Sequence, residues 1–124
     1  MTNAAALPIA LWLNLVMVLA THTHVDHSPG AVAAAQAFGA PVFGRRPRFL
    51  QGQDATFAPE RELADGEQLL LGPGTALRVF HTPGHASNHL CYLIEQERTL
   101  LTGDHVMQGS TVVINPPDGD MSAY

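Results

Sequence analysis

The chain is poor in cysteine, in basic residues and in long apolar runs, and each shortage removes a class of function. A single cysteine, Cys91, stands among 124 residues, so no internal disulfide framework can form and a reducing, cytoplasmic setting is the simplest expectation. Lys and Arg number only 6 against 11 Asp and Glu, a formal net charge of −5. That balance supplies no electrostatic footprint for nucleic acid or for an anionic membrane surface. The most apolar stretch, "LPIALWLNLVMVLA" from Leu7 to Ala20, falls short of the roughly 20 residues that cross a bilayer. No Lys or Arg precedes it, so it also lacks the charged start of a secretory signal. Internal repeats and low-complexity tracts are missing as well. The length allows one domain at most, large enough to bury a core, and 46% hydrophobic with 14% charged residues is the composition of a globular protein.

The pattern along the chain is mixed. "LVMVLA", Leu15 to Ala20, reads as a buried strand. Ser28 suits a helix N-cap and Pro29 the first helical position. "GAVAAAQAF" is a short alanine-rich helix, and Gly39 suits the position just past its end. "APVFG" reads as a short strand. The polar, proline-bearing stretch from Arg45 to Gly66 is expected to cross the surface irregularly. "EQLLLGPGTALRVFHT" predicts two strands joined at Gly72-Pro73-Gly74, and "HLCYLIEQERTLLTGD" a second hairpin turning near Gln96 and Glu97. "INPPDGDMSAY" predicts a loop and the start of a helix. Strand, helix, strand and then antiparallel hairpins point to a mixed α/β (α+β) layer structure.

One stretch stands out. "THTHVDHSPG", Thr21 to Gly30, puts three histidines and an aspartate into six residues directly after an apolar run. Side chains two apart on an extended segment point to the same side, so His22 and His24 can grip one ion together. Asp26 and His27 follow as the chain turns and can reach a position beside the first. Neutral imidazole with carboxylate suits zinc and similar divalent metals. Two later loops match in character. "HTPGHASNH" carries His81, His85 and His89 after one strand, and "LTGDH" carries Asp104 and His105 after another. Three loops at strand ends can converge at one end of a sheet, where function is commonly placed. A lone loop histidine is ordinarily just solvated, and His81, His89 and His105 are read that way, or as groups that orient ligands. The dense cluster is not. Cys91 lies within a predicted strand and reads as a small core residue. Arg45, Arg46 and Arg48 read as a solvated loop face, and Gly74 and Gly84 as turn residues.

The motifs "THTHVDH", "TPGH" and "TGDH", in this order and with these gaps, resemble the metallo-β-lactamase-fold hydrolase superfamily. "HVMQGSTVVINPPDGDMSAY" resembles its bacterial β-lactamase-like, glyoxalase-II-like branch, and the resemblance covers Val16 to Tyr124. It implies that His22, His24 and His85 hold a first metal, that Asp26 and His27 hold a second, and that Asp104 bridges the two. It implies a zinc hydrolase with one or two ions, acting through metal-held hydroxide on a thioester, ester, lactone, β-lactam or phosphodiester. In that role Asp26 orients the nucleophile and accepts its proton. Bound zinc brings the pKa of water from about 16 to near 7.

The fold so implied is a partial αββα sandwich, a mixed sheet with metal loops at its strand ends. The family also carries strands ahead of the first motif and a further histidine beyond the last. The chain is therefore expected to be one incomplete domain, residues 1–124 with an atypical segment at 1–14. A small-molecule ester or thioester is the expected partner, with no membrane, and metal-dependent nuclease action is the main rival. Two other readings are a di-iron redox protein and a remnant that binds metal without turnover. Redox relatives generally carry a carboxylate where His24 stands, which favours hydrolysis.

Overall fold

The computed structural model describes residues 15–124; the expected atypical segment at 1–14 lies outside the described residues. Seven strands and one helix follow in the order β1 (Val18–Leu19), α1 (Pro29–Phe38), β2 (Val42–Gly44), β3 (Arg61–Glu62), β4 (Gln68–Gly72), β5 (Thr75–His81), β6 (Leu90–Ile94) and β7 (Thr99–Leu101). They form two sheets. β1, β2 and β3 lie side by side and parallel, and β4 to β7 form an antiparallel meander in chain order.

Parallel neighbours need a crossover, and α1 provides it between β1 and β2. The helix begins at Pro29, whose missing N–H costs nothing there, and ends at Gly39, which takes the left-handed conformation at φ 64°. Ser28 occupies the N-cap position but caps nothing with its side chain. Its hydroxyl donates instead to Asp54 Oδ2 at 2.7 Å, so a predicted local bond is replaced by a long-range one. The two hairpins turn where the Gly-Pro-Gly and Gln96-Glu97 signals place them.

The core is made of Leu63, Leu69, Leu77, Val79, Leu90 and Tyr92, with Met17, Leu19 and Phe43 packed against it from the parallel sheet. It therefore fills the space between the two sheets. β6 is an inner strand and buries Leu90, Cys91 and Tyr92 in succession, which accounts for a run without alternation. Two bonds tie the layers together beside the histidine loop. Tyr92 Oη donates to the Ala20 carbonyl at 2.5 Å, and Leu90 N–H donates to the Thr21 carbonyl at 2.7 Å.

Three sequence expectations need correction. The strand expected over Leu15 to Ala20 shrinks to Val18–Leu19, with Leu15 and Val16 exposed; among the described residues β1 pairs with β2 only, so little pairing extends it. The segment after Arg45 is not wholly superficial. It supplies β3 and buries Leu63 and Gln53. Arg61 and Glu62 are both exposed, so β3 shows no apolar alternation; backbone pairing with β2 holds it, helped by Arg61 on Glu67 and over the Phe43 ring and by Glu62 accepting from Arg46 N–H. Residues 111–124 form a loop with two turns and no helix.

Candidate metal centre

β1 delivers the chain to the Thr21–Ser28 loop in extended form. His22 and His24 stand on one side of that segment. Thr23 between them is buried on the other side, where its Oγ1 donates to Gln53 Oε1 at 2.7 Å and accepts from Asn88 Nδ2 at 2.7 Å. The Thr23 carbonyl also accepts from Asp54 N–H at 2.7 Å. The chain then turns, with His27 N–H donating to the His24 carbonyl, and His27 swings back toward His22. His85 comes from the β5–β6 loop, which Thr82 N–H closes onto the His89 carbonyl at 2.9 Å. Asp104 comes from the loop after β7.

These residues, up to 82 positions apart in sequence, meet at one point. The His22, His24 and His85 rings pair at centroid distances of 4.6–4.9 Å with interplanar angles of 80–89°. Three mutually perpendicular rings can aim three nitrogens at one centre without stacking. Donor atoms of His22, His24 and His85 all lie within 4.8 Å of one another, and those of His22, His27 and Asp104 do the same. Asp104 Oδ2 faces both sets, at 3.1 Å from His27 Nε2, 3.4 Å from His85 Nε2 and 3.8 Å from His22 Nε2.

Hydrogen-bond direction tests whether the centre fits a cation. His85 Nδ1 faces the Val113 carbonyl. A carbonyl only accepts, so Nδ1 carries a proton, and the neutral, metal-binding form of the ring has its lone pair at Nε2. That lone pair looks at a carboxylate oxygen 3.4 Å away. Two acceptors opposed at such a distance repel unless a cation or a proton lies between them. His22 Nε2 and His85 Nε2 are moreover buried with no hydrogen-bond partner, and a buried polar atom left unpaired costs about 1–3 kcal/mol. Neutral imidazoles are the metal-binding form. Burial, and then the neighbouring histidines His27, His89, His24 and His85, depress the His22 pKa to about 2. Burial and His85 also lower that of His24, against an opposing pull from Asp118 and Asp26. The donor set and its orphaned lone pairs fit a divalent cation.

Asp26 stands apart from both sets. Its side chain is 76% exposed, with Oδ2 3.7 Å from His27 Nε2, and it lines a cleft of about 370 Å³ that opens over His24 and His85. Val25, Val113, Pro116 and Pro117 give that cleft an apolar wall, and Asn115 and Asp118 a polar one. Among the described residues lining it, none is Lys or Arg. His81 donates through Nε2 to the Ser87 carbonyl at 2.9 Å, and His105 lies beside Tyr124; neither joins the convergent donors. His89, which reads from sequence as one more loop histidine, is fully buried. Burial, followed by the neighbouring His105, His85, His27 and His24, holds its pKa down at about 3.

Sequence reasoning missed Asp118. It is buried, and its carboxylate accepts from Phe49 N–H (3.3 Å), Gln53 Nε2 (3.0 Å), Ser87 N–H (3.0 Å) and Ser87 Oγ. It thereby knots the segment after β2, the His85 loop and its own loop into one support. A PPDGD run reads as a turn, and no local spacing reveals partners that lie 31 to 69 residues away.

The comparisons with known proteins identify the family. The family model described as "Metallo-beta-lactamase superfamily" matches residues 10–124. A hydroxyacylglutathione hydrolase of Anaeromyxobacter dehalogenans (strain 2CP-C) is 40% identical over 101 residues, 82% of this chain and 36% of that protein. An atrochrysone carboxyl ACP thioesterase of Aspergillus chevalieri is 34% identical over 116 residues, 90% of this chain and 33% of that protein. Among solved structures, the BLEG-1 B3 metallo-beta-lactamase superposes with a TM-score of 0.72 at 28% identity, covering 90% of this chain and 60% of that one. The chain spans about a third of the length of the curated relatives it matches first.

Proposed function

The chain belongs to the metallo-beta-lactamase superfamily, and from that premise we propose that it carries a zinc centre for hydrolysis of a small-molecule thioester or related ester. The opposed lone pairs of His85 Nε2 and Asp104 Oδ2, with the orphaned His22 Nε2 beside them, carry the reading. His22, His24 and His85 would hold one ion. His27 and Asp104 would hold a second beside it, with Asp104 facing both. When bound, such a cation activates water and polarises the scissile carbonyl.

The chain's own groups do the rest. His24 and His85 form the floor on which the acyl carbon is presented, and the wall of Val25, Val113, Pro116 and Pro117 receives an apolar acyl part and keeps bulk water off. Asp26, exposed at the cleft rim, orients the attacking water and takes its proton. Relatives named as thioesterases and hydroxyacylglutathione hydrolases support a thioester over a phosphodiester. So do the acidic balance of the chain and a cleft whose described lining holds no Lys or Arg to neutralise phosphate. A reducing compartment, the cytoplasm, suits the free buried thiol of Cys91. Among the described residues no helix is long and apolar enough to cross a membrane.

The test is elemental analysis of the purified chain together with thioester and phosphodiester hydrolysis, with and without added zinc. Zinc-dependent thioester cleavage that a chelator abolishes is expected. Iron with a bound flavin would replace hydrolysis by redox chemistry, phosphodiester cleavage would make the chain a nuclease, and metal uptake without turnover would make it a binding remnant.

A further inference from the structure

Asp104 is held by more than its own loop. Its backbone N–H donates to His89 Nε2 at 3.1 Å, so that nitrogen is bare and the proton of the neutral ring sits on Nδ1. The far side of the ring gives the same answer independently. Cys91 Sγ donates to the Thr102 carbonyl across 3.6 Å, which uses the only thiol hydrogen. Sγ must then accept from Thr82 Oγ1 at 3.3 Å, which uses the only hydroxyl hydrogen. Thr82 Oγ1 must in turn accept from His89 Nδ1 at 2.9 Å. The bonds run in one direction, from Asp104 N–H through His89, Thr82 and Cys91 to the carbonyl of Thr102, and so begin and end in the same three-residue loop. Gly103, between the two ends, lies against the ring. A Cβ there would come within 2.7 Å of His89 Nε2 and 2.9 Å of the Thr21 side chain, and its φ is +50°.

We propose that His89 is a positioning residue whose Nδ1–H imidazole, oriented by Thr82 and Cys91, grips the Asp104 amide and so aims the Asp104 carboxylate at His22, His27 and His85. It touches neither substrate nor the convergent donor nitrogens. It acts through the loop, and it bears more on the second ion, for which Asp104 is one of the convergent donors, than on the first, which Asp104 only faces. The proposal rests on the reading of Asp104 as a ligand, and its test separates the two.

In the metal-free 124-residue chain, long-range 1H–15N spectra should show His89 as the Nδ1–H tautomer and the Asp104 amide as slow to exchange; an Nε2–H tautomer overturns the proposal whether or not any metal binds. In titrations with zinc, and with Co(II) read by its visible absorption, His89→Gln keeps an acceptor near the Nε2 position. It should hold the second ion within about threefold of the parent chain. His89→Asn keeps only a donor near Nδ1 and should lose about 10–100-fold for the second ion, with a smaller loss for the first. Equal behaviour of the two variants overturns the proposal. Should either fail to fold, Thr82→Val should weaken the second ion and Thr82→Ser restore it; no difference between those two also overturns it. A parent chain that binds no ion at all defeats the proposed function, and the tautomer measurement still decides the role of His89.

Discussion

The two halves of the metal centre are built differently. In the set of His22, His24 and His85 the side chains of His22 and His85 are 0% and 9% exposed, and His24 is half-buried at the cleft. Each flank is braced from outside, Thr23 by Gln53 and Asn88, and His85 by the Val113 carbonyl. The set of His22, His27 and Asp104 is more open, with side chains of His27 and Asp104 29% and 23% exposed. It depends on a short loop after a strand whose residues are all exposed. A braced, more buried set should hold its ion tightly. A more open set that takes its carboxylate from the loop after β7 should exchange its ion readily and be tunable from behind, through His89.

The largest effect expected is the loss of the braced set. His85→Ala removes a donor and should weaken the first ion by more than the roughly 100-fold that changes in supporting residues cost. Titration calorimetry with zinc measures it, and near-parent affinity would dissolve the distinction between the halves. Asp104→Ala comes next. It should weaken total zinc uptake chiefly by emptying the second position, and by more than His105→Ala, whose ring joins neither donor set. The reverse ranking would move the bridging role elsewhere.

Asp118→Ala tests the brace itself. It strips a buried acceptor from Gln53 and Ser87, and the donors left unpaired should cost about 1–3 kcal/mol, read from denaturant melts of the metal-free chain. Unchanged stability would mean that the knot of three segments contributes nothing.

Acidity should sharpen the same contrast in the metal-free chain. His22 and His89 stay neutral in the folded state, with pKa values depressed to about 2 and about 3, whereas in the unfolded chain they protonate near 6.5. The unfolded state therefore binds more protons at acid pH. Stability from these two residues is full above about pH 6.5 and falls as the pH drops toward the folded values. Replacing His89 with Gln should flatten that fall, and a melting temperature independent of pH between 4 and 7 would contradict it. The smallest effect on binding belongs to Asp26→Asn, which should slow hydrolysis while zinc affinity holds within about threefold, since the carboxylate lies outside both donor sets.

Much of this was legible in the chain itself because the determining interactions are local. Strand alternation has a period of two, so the His-x-His spacing already placed His22 and His24 on one side. Proline at the start and glycine at the end bounded α1, and the Gly-Pro-Gly turn set the β4–β5 hairpin. Each depends only on backbone conformation over a few residues. The family could be named from the order of three short motifs. Other features came only with tertiary structure. Nothing local marks β3, whose two exposed charged residues pair with β2 and reach Phe43, Arg46 and Glu67, or Asp118, whose partners come from segments 31 to 69 residues away. The tautomers of His85 and His89 depend on which carbonyl, amide or hydroxyl the fold brings to each ring, and no spacing encodes that. The sequence supplied the donors, but only the folded chain brought His85 Nε2 and Asp104 Oδ2 within 3.4 Å of each other, an opposition that a cation or a proton between them relieves, and no local spacing encodes it.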